Sequence, residues 1–280
     1  MPSTFGHAGR NARLVVGPWT HTSPGVTGAG IRHGLAWLRA GLLDDDRLVR
    51  PATVRLFVTG ERAGGGWRDL ERWPPPDMSE YRLWLVDGGR LEDAPPATPV
   101  ASDRYRYDPA DPTPSVGGPV LLSREPVLDN RALEARADVL TYTTAPLRAT
   151  VEAIGPVRVE LWLLTSSPYF DVFARVCDVD RKQRSWNVCD ALARVTPGRF
   201  EQSDDGTWRV AFDLWPIGHR FVAGNRIRLQ VSSGAHPRYA RNPGTGEDPF
   251  GATDGRHVDV EVLHGEQRRS VLILPRTTGT

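Results

Sequence analysis

Among 280 residues there is one lysine, Lys182, so 34 of the 35 basic residues are arginine. They stand against 34 Asp and Glu, a net charge of +1. A dedicated nucleic-acid binder needs a concentrated cationic surplus to neutralise phosphates, so none is expected here. No apolar run approaches the ~20 residues of a membrane-spanning helix, and no membrane partner is expected. The first twenty residues hold no apolar stretch of the secretory type, which makes the cytoplasm the expected compartment. Cys177 and Cys189 are the only cysteines, too few for a disulfide framework or a zinc ribbon. Their spacing about a turn near Gln183 suits two reduced thiols on neighbouring strands.

Catalytic signatures are also scarce. Gly-x-Ser-x-Gly, the nucleophile elbow of α/β-hydrolases, occurs nowhere, and neither do the Walker A and His-Glu-x-x-His motifs. The seven histidines show no metal-ligand spacing, and no metal or cofactor is expected. Asp44, Asp45 and Asp46 read as a solvated turn after a helix rather than a cation site. Ser232 and Ser233 followed by His236 close a strand, without the sharp turn that exposes a nucleophile.

Glycine and proline are abundant, 28 and 24 residues, and punctuate the chain at short intervals. Between them apolar residues recur at every second position: Val157, Val159, Leu161, Leu163; Trp208, Val210, Phe212, Leu214; Ile227, Leu229, Val231; Val258, Val260, Val262. A period of two predicts half-buried strands, and many short strands predict a sandwich or jelly roll from about Thr53 onward. The Pro- and Asp-rich segment Asp93–Val120 reads as an ordered connector anchored by Tyr105 and Tyr107. The first fifty residues differ. Arg13-Leu-Val-Val-Gly17 predicts a strand buried on both faces. After a Gly-rich loop, Ile31, Leu35, Leu38 and Leu42 predict a helix. Strand, loop and helix make half of an α/β repeat. The expected architecture is therefore mainly β: a jelly-roll sandwich at 91–280, preceded at 1–90 by the closing piece of an α/β domain. Gly17-Pro-Trp-Thr-His21 lies at the carboxyl end of that strand, where open α/β sheets place their sites.

Together with Tyr107-Asp-Pro-Ala-Asp-Pro-Thr-Pro-Ser-Val-Gly-Gly118, Arg136-Ala-Asp-Val-Leu-Thr-Tyr142 and Gly224-Asn-Arg-Ile-Arg-Leu-Gln-Val-Ser-Ser233, this motif resembles the cocaine-esterase and X-Pro dipeptidyl-peptidase family of serine hydrolases. The resemblance runs from about Arg13 to Pro275. It implies an α/β-hydrolase domain, a helical cap and a C-terminal jelly roll, hydrolysing small-molecule esters or X-Pro peptides through a Ser-His-Asp triad. His21 inherits the role of triad base, while the family's serine and aspartate lie upstream of that histidine. By position, Val120, Leu121 and Leu122 line the acyl side of the site; read from the residues alone, they are ordinary strand core. A misplaced start, a truncation and a split gene all stay open as the origin of such a chain; under a split gene the partner is a separate N-terminal hydrolase polypeptide supplying serine and aspartate, and without those residues the chain is expected to be inactive. The competing expectation is a non-catalytic jelly roll that binds carbohydrate or protein.

Overall fold

A computed structural model describes residues 12–49, 51–60, 66–121 and 126–277. Two sheets are formed. Leu14–Val16 (β1), Val54–Val58 (β2) and Gly66–Leu70 (β3) make a small sheet in the order β1-β2-β3. β1 runs parallel to β2, and β3 antiparallel to it. The crossover from β1 to β2 carries helix α1, Pro24–Leu43.

Two expectations for this unit are corrected. Helix α1 starts at Pro24 rather than Ile31, because proline in the first turn presets φ and sacrifices only an N–H that would go unpaired there. The glycines expected in a loop lie within the helix. β1 is also not buried on both faces. Among the described residues it has β2 on one side only, and Val16 is 50% exposed. The predicted apolar stripe of α1 faces solvent, and Ala36 is the helix's one buried residue.

The large sheet begins with Met78–Val86 (β4) and Arg90–Glu92 (β5), then Ser102–Tyr107 (β6) within the proline-rich connector. Leu140–Thr143 (β7) follows the short helix α2, Arg131–Glu134. The long strands are Val151–Thr165 (β8), Phe170–Val179 (β9), Ser185–Val195 (β10) and Trp208–Phe221 (β12), with Glu201–Gln202 as β11. Arg226–Ser232 (β13), Val258–Leu263 (β14) and Val271–Thr277 (β15) complete it. Strand order is β10-β9-β13-β7-β5-β4-β15-β8-β12-β11, with β14 bridging β8 and β6. The sheet folds over so that β9 and β10 pack across β12, closing a β-sandwich. The division expected at residue 90 falls inside this sheet, since β4 and β5 pair with β15 and β7.

The alternation read from the sequence fills the core. Val157, Val159, Leu161 and Leu163 of β8 meet Val210 of β12, Leu229 of β13, Val172 of β9 and Leu272 of β15, all fully buried. Tyr105 and Tyr107 anchor the connector as buried members of the same cluster. Each such side chain contributes roughly 1.5–3 kcal/mol through burial, so the sandwich is the stable body of the molecule.

The small sheet is joined to it at one seam. Val54, Leu56 and Val58 pack on Ile154 of β8. Thr59 N–H donates to Gly218 O at 2.9 Å, and Arg220 N–H to Thr59 O at 2.8 Å. The Thr59 hydroxyl also meets His219 Nδ1 at 2.8 Å, while His219 Nε2 lies 3.1 Å from Asp178 Oδ2. Gly60 sits at φ 116°, and a Cβ there would stand 2.1 Å from Arg220 O, so the crossing admits only glycine. Beyond this seam the small unit has little to hold it. Amides of β1 and α1 are therefore expected to exchange at least ~100-fold faster than those of β8 and β9. Equal protection in a hydrogen-exchange experiment would contradict that.

The cysteines sit as expected on adjoining strands, Cys177 on β9 and Cys189 on β10, about a turn in which Gln183 has φ 61°. Both are buried and unpaired with one another. Burial pushes the Cys177 thiol up to about 12, and burial together with Asp190 raises Cys189 well above its ordinary value. At pH 8 a thiol near 12 is ionised to only ~10⁻⁴. Neither is expected to react with a disulfide reagent in the native protein, and both should react in denaturant.

Candidate functional site

The loop after β1 is shaped by one indole. Trp19 folds back over the chain so that a Cβ on Gly17 would lie 2.6 Å from its ring, and one on Gly25 2.9 Å. The same ring meets Trp67 of β3 at 5.7 Å between centroids, and Trp67 in turn meets Phe57 of β2 edge-on at 5.6 Å. The Arg55 guanidinium lies over Trp67 at 4.9 Å. This stack pins the β1–α1 loop to the small sheet. A turn closed by Ser23 N–H to Thr20 O leaves His21 at its apex, exposed to solvent. Among the described residues no hydrogen bond or ion pair engages the His21 imidazole. The loop can present a base, but the chain sets no hydroxyl against it.

A second feature escaped the sequence reading. The outer face of β9 and β10 bears charges that are wholly enclosed. Arg175 and Asp190, with side chains 0% and 1% exposed, pair through Nη2 and Oδ2 at 2.9 Å. Arg175 Nη1 donates to Val116 O at 2.5 Å and Asn130 Oδ1 at 2.6 Å. Arg238 approaches the other Asp190 oxygen at 2.7 Å. Asn187 holds Pro126 O and Leu128 N–H at 2.9 and 2.8 Å. Gly118 N–H donates to Pro126 O at 2.7 Å, which closes a loop whose two feet are clamped by side chains. Gly118, at φ 90°, sits where a Cβ would be 2.7 Å from Arg238 Nη1. The signal was present: charged residues inside apolar strands are enclosed only when paired.

Val120 and Leu121 ride on this clamped loop, 46% and 65% exposed, outside any strand. The ordinary-core alternative does not describe them. Leu122 lies outside the described residues. Ser232 and Ser233 are buried, and Ser233 Oγ is 2.9 Å from the Tyr105 hydroxyl, in keeping with a structural part. Asp45 is bound to Arg39 and Arg47, whose guanidinium groups hold its carboxyl well below the usual range. Among the described residues no group of three or more His, Cys, Asp or Glu could hold a metal ion. No described helix is long and apolar enough to cross a membrane.

The described chain is a β-sandwich joined at one seam to a small sheet whose parallel β1-α1-β2 crossover carries the His21 loop. Residues 48–273 match the X-Pro dipeptidyl-peptidase C-terminal non-catalytic domain, and the chain belongs to that family. It is 34% identical over 269 residues to the cocaine esterase of Rhodococcus sp. (strain MB1 Bresler), covering 84% of this chain and 46% of that protein. A putative serine esterase of Mycobacterium bovis is 26% identical over 278 residues, covering 83% and 42%. An α-amino acid ester hydrolase superposes with a TM-score of 0.79 at 27% identity, covering 94% of this chain and 50% of the other. An aminopeptidase from a marine-sediment Thaumarchaeota archaeon shares the fold, with a TM-score of 0.81 at 23% identity, covering 96% and 50%. The chain thus spans about half the length of the relatives it matches. His21 lies upstream of the family match; Val120 and Leu121 lie inside it.

Proposed function

We propose that this chain is the rear portion of a serine hydrolase that cleaves small-molecule esters or X-Pro peptide bonds, with His21 as its general base. The observation that carries the reading is positional. The Gly-Pro-Trp-x-His turn follows a parallel strand that pairs on one edge only among the described residues, in a chain whose relatives include esterases of about twice its length. The serine and aspartate come from an N-terminal hydrolase portion, seated on β1 and α1.

In that assembly the His21 imidazole takes the serine proton as Oγ attacks the carbonyl carbon. It then returns that proton to the departing alkoxide or amine, leaving an acyl-serine. Water, deprotonated by the same imidazole, releases the acid and restores the serine. The sandwich does no chemistry, consistent with its family's description as non-catalytic. Its clamped loop offers Val120 and Leu121 to the acyl side of the substrate.

Without the serine, the imidazole has no nucleophile to activate. The chain alone is inactive on p-nitrophenyl butyrate and X-Pro-p-nitroanilide under this reading. Mixing it with a hydrolase polypeptide that bears the Gly-x-Ser-x-Gly elbow tests the proposal. Robust turnover by the chain alone favours a different enzyme, and carbohydrate or protein binding without any complementation favours a binding module.

A further inference from the structure

The small sheet has two faces, and the period of two sorts its residues between them. On β2, Val54, Leu56 and Val58 turn to the sandwich and pack on Ile154, with Leu70 of β3 against the same cluster. Arg55 and Phe57 take the other face, where the register sets Trp67 opposite Phe57 and Asp69 opposite Arg55. These four side chains hold one another. Phe57 meets the Trp67 ring edge-on at 5.6 Å, Arg55 lies 4.9 Å over it, and Arg55 Nη1 donates to both Asp69 oxygens at 3.0 Å. The Trp67 ring is therefore fixed by its own sheet before anything leans on it.

Trp19 leans on it, with ring centroids 5.7 Å apart. The loop that bears His21 is wrapped around Trp19 in turn. Gly17 before the histidine and Gly25 after it both lie so near the indole that neither has room for a Cβ. A loop closed on an indole from both ends goes where the indole goes. His21 itself is exposed and makes no contact that would hold it, so its placement comes from this stack.

We propose, resting on the reading of His21 as general base, that Trp67 is a positioning residue for that base. By supporting Trp19 from the outer strand β3, it fixes where the imidazole stands relative to the serine. Trp67 lies within residues 48–273, which match a domain described as non-catalytic, whereas Trp19 and His21 lie upstream of the match. The matched region thus does no chemistry yet sets the geometry of the proton transfer. A displacement of ~1 Å at a reacting group can cost ~10²-fold in rate. Substrate contacts are left in place, so the loss falls on kcat.

Assembled with the hydrolase portion, Trp67→Ala should lower kcat roughly 10–100-fold while KM stays within about 3-fold of wild type. Trp67→Phe, which keeps a ring against Trp19, should recover most of that loss. Leu70→Ala is the control: it loosens the same strand from the sandwich face, away from Trp19, and should leave kcat near wild type. Should Trp67→Ala unfold the small sheet, Trp67→Leu keeps apolar bulk without a ring and should still lose at least ~5-fold in kcat. The chain alone gives a second readout by NMR relaxation. Backbone order parameters of residues 19–23 should stand near ~0.85 in wild type and Leu70→Ala, and fall below ~0.6 in the Trp67 variant that lacks a ring. Residues 19–23 as rigid in that variant as in wild type would overturn the inference, whether or not any assembly turns over substrate. So would equal kcat losses in Trp67→Ala and Leu70→Ala, or full kcat in Trp67→Ala where His21→Ala is inactive; the latter leaves His21 as the base. Full turnover by His21→Ala instead removes the base itself.

Discussion

With the hydrolase portion supplied, replacing His21 by Ala is expected to lower ester turnover by about 10⁴-fold or more, with substrate KM changed far less. The size follows from what a triad base does. Removing the imidazole leaves serine with no acceptor for its proton, and the residual rate over water, ~10³–10⁴, comes from the oxyanion hole and substrate binding. Those parts belong to the hydrolase portion, so the loss appears in kcat. The geometry makes the experiment clean. His21 is exposed at the apex of a turn whose shape is set by Trp19, Gly17 and Trp67. Its loss should therefore leave the thermal midpoint of this chain in place. A variant with full turnover would remove His21 from the mechanism.

The second large effect is on stability. Asp190→Ala is expected to cost about 3–5 kcal/mol, because it strands Arg175 as a buried charge. Arg175 has no exposed surface, and two of its three nitrogens are committed to Asp190. For a domain of this size the loss corresponds to a fall of roughly 10 °C in thermal midpoint. An exposed pair gives the contrast. Arg106 and Asp259, 64% and 57% exposed, hold one another across β6 and β14 at 2.6 Å. Asp259→Ala should change stability by no more than about 1 kcal/mol, since solvent screens that pair. Equal effects at the two sites would mean that the clamp under the 116–128 loop bears no special weight. Added salt separates them further, weakening the exposed pair and sparing the enclosed one.

Much of the sandwich was legible because its strands obey simple chemistry. In β8 and β14, apolar residues turn inward and charged ones outward, so a period of two stands out in the sequence. β9 shows no such pattern, because all ten of its residues are buried. One face meets the core; the other is covered by the segment that carries α2 and the clamped loop. Asp171, Arg175 and Asp178 interrupt the apolar run, so the strand reads as mixed even though no part of it meets water. The Arg175–Asp190 clamp depends on side chains 15 residues apart and a carbonyl 59 residues away, and no local pattern encodes that. The helix was legible in type but not in extent. Proline and glycine read as loop residues at 24–30, whereas the preset φ of Pro24 starts the helix there. For the candidate site, the turn bearing His21 followed from sequence through strand, Gly-Pro and motif. The exposure of Val120 and Leu121 did not, since a short apolar run looks the same in a core strand and on a loop.

One measurement bears most directly on the central claim that His21 stands beside a catalytic serine supplied by the hydrolase portion. A substrate-like chloromethyl ketone alkylates a triad histidine only when the ligand is seated at the serine. Incubated with the assembled portions and followed by peptide mass spectrometry, it should place a single adduct on His21, and none when either portion is alone. Turnover that is blocked with the adduct on another residue, or His21 modified equally in the isolated chain, would contradict the account.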